Sequence, residues 1–203
     1  MKKFISIFIF IIAIVMVFVF LYVSVYPRML EKQYIETQNS AVLYKMCKIS
    51  LNTKKTEIVL KYCPKLFNEQ YILSDSEEKD EMLSKYLTVV LYTEDFELYK
   101  NSIAEASSKY SSVEMSVLEC TRAVYEYYYM TGKADKTLVL FDALIEKAQN
   151  IEIKDLFYTK KSNFLMSELE DFEAVKEMQE ERKKLKDQLG NMNQDQSGDG
   201  SVS

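Results

Sequence analysis

The stretch YEYYYMTGKADKTLVLFDALIEKA, residues 125–148, decides the fold of this 203-residue chain. Apolar residues recur at steps of three and four on both sides of Gly132, which is the spacing of one face of a helix. The residues with this spacing are Val117, Thr121, Val124, Tyr125 and Tyr128 before the glycine, and Leu138, Phe141, Leu144, Ile145 and Ala148 after it. The stretch therefore predicts two amphipathic helices joined by a tight turn.

The turn has two counterparts at equal distances along the chain. The sequence EDFE occupies residues 94–97, GKAD occupies 132–135, and EDFE occurs again at 170–173, so GKAD lies midway between the two copies of EDFE. A fixed period of this size is typical of stacked helical repeats, since each hairpin buries its apolar face against the next one. The alternative is an irregular helical bundle in which the period is a coincidence.

The central hairpin resembles a tetratricopeptide repeat (TPR) in the order of Tyr128, Tyr129, Gly132 and Phe141 along its two helices. It departs from that family in having a longer period, no closing proline, Tyr125 where a small residue is usual and Thr137 where alanine is usual. The resemblance is specific for this hairpin and suggestive over residues 51–189. It implies an all-α fold of antiparallel hairpins stacked as a short TPR-like solenoid.

The N-terminus carries the longest apolar run, residues 4–26, which contains no charged side chain. At a rise of about 1.5 Å per residue, a helix of this length crosses a hydrocarbon core of about 30 Å. Tyr22 and Tyr26 would lie in the headgroup layer, and Pro27 is expected to end the helix. A cleaved signal peptide is the alternative, but its apolar region is usually shorter and ends in small residues. The sequence therefore predicts an uncleaved membrane anchor.

The charges that flank the anchor indicate its orientation. Lys2, Lys3 and the terminal amine precede it, whereas Arg28 and Lys32 follow it among acidic residues, so the positive-inside rule favours a cytoplasmic N-terminus. The rest of the chain is then extracytoplasmic. The predicted organisation is a flank at 1–3, a transmembrane anchor at 4–26, a helical domain at 27–189 and a disordered polar tail at 190–203.

Charge also limits the partners of the domain. Residues 27–203 contain 24 Lys and Arg against 31 Asp and Glu, a net charge of −7. Nucleic-acid backbones and anionic lipid surfaces attract the opposite sign. We therefore expect contact with the bilayer through residues 4–26, and neither nucleic acid nor a peripheral lipid surface as a partner.

Apolar spacing and helix-capping residues predict the remaining helices. A helix at 29–49 continues the anchor, and a helix at 54–71 is broken by Pro64. Capping boxes begin further helices at Ser74 and Ser111, and a polar last helix at 173–189 ends at Gly190. We interpret this last helix as a polar cap on the stack, with a short coiled-coil seam as the alternative. The helix after Ser74 is expected to bury Met82, Leu83, Tyr86, Val89, Val90 and Leu91.

The residues that most catalytic sites need are scarce. The chain contains no histidine, so serine–histidine and cysteine–histidine pairs are excluded. No glycine-rich phosphate loop occurs, because only one of the four glycines, Gly132, lies before residue 190. Asp95 and Asp171 fall at turns, where helix capping explains them. We expect no catalytic, metal or cofactor site.

Three cysteines, Cys47, Cys63 and Cys120, could form at most one pair. With a turn centred near residue 52, Cys47 and Cys63 would be offset by about 8 to 9 Å along their helices. Alpha carbons more than about 7 Å apart are too distant for a disulfide. The sequence therefore favours buried free thiols.

What remains is binding to a protein. In the family that the hairpin resembles, the first helices of successive units line a concave groove that holds a peptide or a partner helix. Transferred at the three turns, that groove would comprise Lys85, Thr88, Tyr92, Arg122, Glu126, Tyr129, Lys160, Lys161 and Phe164. Its mixture of basic and aromatic residues would suit an acidic peptide. The alternative is that the aromatic residues belong to the core and the cations are solvated.

These features predict a membrane-anchored, non-catalytic adaptor or assembly factor. A structural subunit held in a membrane complex is the alternative, and it would aggregate without its anchor, whereas an adaptor domain would remain soluble. A signal transducer is disfavoured because only three residues precede the anchor.

Overall fold

The computed structural model describes residues 2–67, 76–109 and 113–197, and within those ranges all regular structure is helical. The all-α prediction is therefore confirmed. The helices are α1 (Lys2–Phe20), a π-helical turn (Leu21–Val25), α2 (Tyr26–Thr37), α3 (Ser40–Asn52), α4 (Thr56–Tyr62), α5 (Pro64–Phe67), α6 (Ser76–Leu91), α7 (Phe96–Lys109), α8 (Val113–Thr131), α9 (Ala134–Lys147), α10 (Ile151–Glu168) and α11 (Phe172–Ser197). They form two compact units, Met1–Glu94 (unit 1) and Asp95–Ser203 (unit 2).

Unit 1 begins with one long helix that Pro27 does not end, so the predicted stop there is wrong. In a regular α-helix the proline ring would clash with the carbonyl four residues earlier. The π-helical turn widens the backbone just before it, and the Tyr26 N–H bonds to the Leu21 carbonyl, five residues back. The helix is long and apolar enough to cross a membrane. Its large apolar side chains between Ile7 and Phe20 are 40–67% exposed.

The predicted helix at 29–49 is interrupted by a two-residue turn. Gln38 adopts a left-handed conformation, φ 49°, and its N–H bonds to the Tyr34 carbonyl. The Asn39 side chain then accepts hydrogen bonds from the N–H groups of Ala41 and Val42, which caps the start of α3. The chain reverses here, so that α2 packs on α3 with Leu30 and Tyr34 buried.

A disulfide joins Cys47 of α3 to Cys63, directly after α4, with the alpha carbons 5.5 Å apart. The prediction of free thiols at these two positions is therefore wrong. The turn lies at residues 53–55, later than predicted, so Cys47 precedes the end of α3 by five residues and Cys63 follows the start of α4 by seven. The offset is then about two residues, or about 3 Å of helix rise. Cys120 is free and buried, as predicted.

The rest of unit 1 agrees with the sequence pattern. Pro64 ends α4 and begins α5, which confirms the predicted break. Residues 68–75, including the predicted capping box at Ser74, lie outside the described ranges. The expected apolar stripe of α6 is buried throughout: Met82, Leu83, Tyr86, Val89, Val90 and Leu91 are each at most 6% exposed.

The three equally spaced turns also share a backbone conformation. Each contains one residue in the left-handed region, Glu94 (φ 59°), Gly132 (φ 65°) and Glu170 (φ 52°). The helices that follow begin at Phe96, Ala134 and Phe172, which are again equally spaced. Asp95 and Asp171 cap their helices by accepting hydrogen bonds at 3.0 Å from the N–H groups of Leu98 and Ala174. The predicted turns are therefore confirmed as helix–turn–helix connections.

Unit 2 is held together by helices that contact neighbours on both sides. Helix α7 packs on α8 and α9, and α10 packs on α8, α9 and α11. Phe141 of α9 and Phe164 of α10 are fully buried between them. The Ser111 capping box lies outside the described residues.

Helix α11 is longer than predicted, since it passes Gly190 and continues to Ser197. A glycine weakens a helix but does not by itself end one. Val175 and Met178 pack on Leu165 of α10. The Arg182 guanidinium also makes two hydrogen bonds to the Asp155 carboxylate of α10, one of them 2.8 Å long from Nη2 to Oδ2.

Candidate partner-binding surface

The predicted groove residues fall into both units, and three of them belong to unit 1. Lys85 donates from Nζ to Glu81 at 2.6 Å and to Asn52 at 3.0 Å. Thr88 donates its hydroxyl to the Ser84 carbonyl of its own helix. Tyr92 is exposed, and Lys54 Nζ lies 5.0 Å from the centroid of its ring. These side chains are thus largely engaged with unit 1 itself.

The other predicted residues belong to unit 2, and three of them share one face of α8. Arg122, Glu126 and Tyr129 follow one another at steps of four and three residues, which places them in a row along the helix. Arg122 pairs with Glu119 of its own helix at 2.9 Å. Tyr129 is 67% exposed, so its ring is accessible at the C-terminal end of this row.

The three predicted residues on α10 have different environments. Phe164 is 0% exposed, so it belongs to the core and cannot contact a partner, which corrects its assignment to the groove. Lys161 bonds to Asp142 of α9 at 2.5 Å, and its side chain is only 12% exposed. Lys160 is half-buried and has no carboxylate within ion-pair distance in the described part of the chain. Unlike Arg122 and Lys161, Lys160 is therefore not tied to an acidic residue of the described helices.

Phe164 nevertheless helps to position the exposed residues of α8, because its ring packs against the buried side of that helix. Its ring centroid lies 4.9 Å from that of Tyr128 and 5.4 Å from that of Tyr125, both in edge-to-face geometry. Phe141 of α9 completes the cluster at 5.6 Å. Edge-to-face aromatic pairs at these distances are favourable and directional. The cluster thereby fixes the rotation of the C-terminal half of α8 relative to α10.

A hydrogen bond connects α8 to α10 at the surface of this cluster. The Tyr129 hydroxyl donates to Glu168 Oε1 at 3.1 Å, and the Tyr129 ring lies 5.7 Å from that of Tyr128 and 6.1 Å from that of Tyr125. We call Tyr125, Tyr128, Tyr129 and Glu168 the tyrosine surface. The hydrogen bond to the carboxylate raises the pKa of Tyr129, and burial raises the pKa of Tyr125. Both hydroxyls therefore stay neutral at physiological pH.

The tyrosine surface offers aromatic faces and one carboxylate that is already oriented. Such a surface can bind an apolar side chain by stacking, or a cation by a combination of cation–π and ionic contact. Sequence reasoning missed Tyr125, Tyr128 and Glu168. The repeat spacing could have indicated Glu168. The residue one repeat period after Tyr129 is Ser167, and Glu168 follows it directly.

Few side chains in the described residues could hold a metal ion or act as a nucleophile. In residues 2–67, 76–109 and 113–197 no group of three or more His, Cys, Asp and Glu side chains is close enough to hold a metal ion. Burial raises the pKa of the Cys120 thiol to about 12, so it is protonated at neutral pH and a poor nucleophile. The features that remain are the tyrosine surface and the apolar N-terminal helix.

No protein-family model matches this chain, and no curated protein or solved structure matches it either. The function proposed below therefore rests on those two features and on the disulfide.

Proposed function

We propose that this chain is a membrane-anchored, non-catalytic protein–protein interaction module, an adaptor or assembly factor, that acts on the extracytoplasmic side. The observation that carries the proposal is the tyrosine surface. Tyr129 is a large aromatic side chain with 67% of its surface exposed, and it packs on the half-buried rings of Tyr125 and Tyr128, which in turn contact the fully buried Phe164. Exposed and rigidly held tyrosines are typical centres of protein interfaces, because they bury much area at a small cost in conformational entropy.

We further propose a TPR-like stack as the scaffold of unit 2. Two observations support it: the positive-φ turns recur at equal spacing, and helices in equivalent positions pack on each other, α8 on α10 and α7 on α9. Stacked repeats require such contacts between successive hairpins. The chain would then present α8 and α10 side by side towards a partner.

The disulfide supports the proposal that the domain lies on the extracytoplasmic side of the membrane. Disulfides form and persist in oxidising compartments outside the cytosol. Cys47 and Cys63 lie shortly after the proposed anchor, so a disulfide between them fits a domain exported behind a cytoplasmic N-terminus.

Orientation can be tested with a cysteine introduced at Ser201. The expected result is labelling by an impermeant maleimide in intact cells. Labelling that appears only after lysis would overturn the extracytoplasmic assignment.

A photo-crosslinking amino acid at Tyr129 tests the interaction surface in native membranes. The expected result is a discrete crosslinked product, identified by mass spectrometry, that contains a second protein. The matched control places the same group at Lys184, which is exposed on α11 of the same unit. The same product from both positions would show proximity without specific binding, and no product from Tyr129 would contradict the proposal.

A structural subunit of a membrane or cell-envelope complex is the second candidate, and exposed apolar residues favour it. Leu118 is 55% exposed, Met166 48% and Phe172 67%, and a constitutive interface would cover such side chains. Residues 27–203 expressed without the anchor separate the two candidates. An adaptor remains a folded monomer, whereas a subunit aggregates or stays unfolded.

A further inference from the structure

A groove of about 540 Å³ lies in unit 1, beside the point where the apolar helix ends. One part of its lining is apolar and belongs to the N-terminal helix: Phe20, Val25 and Met29. The other part is cationic: Arg28 and Lys32 of α2, and Lys55 directly before α4. The groove thus combines a surface that continues the anchor with a cluster of three positive charges.

The three cations of the groove lack acidic partners within the described ranges. There, no carboxylate lies within ion-pair distance of Arg28, Lys32 or Lys55. A neighbouring, smaller groove shares Arg28 and Lys55 and adds Glu31 and Glu57, but Glu31 is already directed to Lys61 at 3.8 Å. Three such cations around one groove produce a local positive potential that an anion would neutralise.

The position of the groove along the helix selects the kind of anion. With residues 4–26 in the bilayer, Arg28 lies two residues beyond the apolar run, at the depth of lipid headgroups. Phe20, which also lines the groove and is 62% exposed, lies six residues inside the apolar run, about 9 Å into the hydrocarbon layer by helix rise. A free inorganic anion would use the cations but leave these apolar side chains uncovered. A phospholipid would satisfy both, with its phosphate among the cations and an acyl chain along the helix.

We propose that this groove binds the headgroup of an anionic phospholipid from the adjacent leaflet. Arg28 and Lys32 contact the phosphate from the anchor side, and Lys55 contacts it from the turn between α3 and α4. One acyl chain follows Val25 and Phe20 into the bilayer. Since Arg28 and Lys55 then share a ligand, the lipid links α2 to the start of α4.

The proposal is compatible with the acidic character of the domain, because the charges are unevenly distributed. Unit 1 contains 12 Lys and Arg against 10 Asp and Glu, whereas unit 2 contains 14 against 21. The net charge of −7 for residues 27–203 therefore argues against adsorption of the domain as a whole. It does not describe the surface next to the anchor, where interactions between charges act within about 8 Å at physiological ionic strength.

Native mass spectrometry of the full chain in detergent tests the proposal, with phosphatidylglycerol and phosphatidylcholine of equal chain length as probes. The expected result is about a tenfold or greater preference for phosphatidylglycerol, since each basic residue near an anionic lipid strengthens binding by about fivefold. The variant Arg28→Gln/Lys32→Gln/Lys55→Gln should lose that preference. The control variant Lys147→Gln/Lys176→Gln/Lys183→Gln removes three exposed cations from unit 2 and should keep it.

Additional measurements distinguish a lipid phosphate from free inorganic phosphate as the ligand. Millimolar inorganic phosphate should leave bound phosphatidylglycerol in place; displacement by it would identify a free-phosphate site and overturn the lipid assignment. Equal binding of the two lipids, or an unchanged preference in the groove variant, would also overturn it. If the triple variant fails to fold by circular dichroism, Lys32→Gln alone decides the matter, because Lys32 is exposed and its loss should still lower the preference severalfold.

Discussion

The two units of this chain are stabilised by different means. Unit 1 has a net charge of +2, an apolar N-terminal helix and a disulfide between α3 and the end of α4. Unit 2 has a net charge of −7, and its one cysteine, Cys120, is free. Its centre is a cluster of four aromatic rings, those of Tyr125, Tyr128, Phe141 and Phe164. The difference suggests that a covalent cross-link stabilises the short, interrupted helices of unit 1, while packing alone suffices for the longer helices of unit 2.

The largest effect is expected from Phe164→Ala, which removes the buried ring at the centre of unit 2. A change of this type costs about 3–5 kcal/mol, because it loses apolar burial and leaves a cavity. Hydrogen exchange read by mass spectrometry on the full chain should show lost protection in α8, α9 and α10. Tyr129→Ala is the matched control, since its exposed ring should cost about 0.5 kcal/mol or less. Loss of protection throughout unit 1 as well would show that the two units do not unfold separately.

The next effect is expected in unit 1, from the double variant Cys47→Ala/Cys63→Ala. A cross-link across a sequence separation of 16 stabilises by about 3 kcal/mol, chiefly by restricting the unfolded chain. The variant should lower the denaturation midpoint of unit 1 and leave unit 2 unchanged. Reductant provides the control, because it should destabilise the natural sequence and have no effect on the variant. Rapid alkylation of both cysteines without reductant would contradict the disulfide.

The turns give a smaller effect of either sign. Gly132 has a φ of 65° and open space where a Cβ would stand, so Gly132→Val should cost about 1–2 kcal/mol through backbone conformation alone. Glu170 has the same conformation, φ 52°, with a side chain. Glu170→Gly should therefore stabilise unit 2 by up to about 1 kcal/mol. Thermal denaturation measures both changes, and a shift of the same sign in the two variants would show that the turns are not equivalent.

The smallest effect concerns pH and the contact between α10 and α11. The hydrogen bonds from Arg182 lower the pKa of Asp155 below its ordinary value of 3.8. A carboxyl with a lowered pKa stabilises the fold above its ordinary pKa, and that contribution is lost as the pH falls through the lowered value. Asp155→Asn should cost about 1 kcal/mol or less at neutral pH and reduce the loss of α11 protection below pH 3.8. An identical acid response in both proteins would remove this pair as its cause.

The sequence predicted unit 2 better than unit 1, and the reason is physical. The turns at Glu94, Gly132 and Glu170 lie in acidic or glycine-containing motifs at a fixed spacing. Once one turn was recognised, the spacing predicted the positions of the other two. In unit 1 the course of the chain depends on local features that occur only once in the sequence. One asparagine at position 39 reverses the chain after α2, and one wide turn allows the helix to pass Pro27.

The candidate site was predicted only in part for a related reason. Helical spacing identified Tyr129 as part of a row on α8, but it could not separate exposed from buried aromatic residues. Phe164 differs from Tyr129 through the helix that covers it, and that contact joins residues far apart in sequence. The ion pairs of Lys161 and Arg182 with partners on other helices depend on tertiary contacts in the same way.

The passage of the N-terminal helix through Pro27 limits how far the helices next to it could move from a membrane that it crosses. A flexible linker would let the domain sweep a volume that grows with linker length. Here residues 7–37 form one helix, and α2 is packed on α3 with Leu30 and Tyr34 buried, so no flexible linker separates the apolar part of this helix from α3. For a chain anchored by this helix, α3 stays at a fixed height above the bilayer. In such a chain, a partner of α3 must come to the membrane surface, because α3 cannot move away from it.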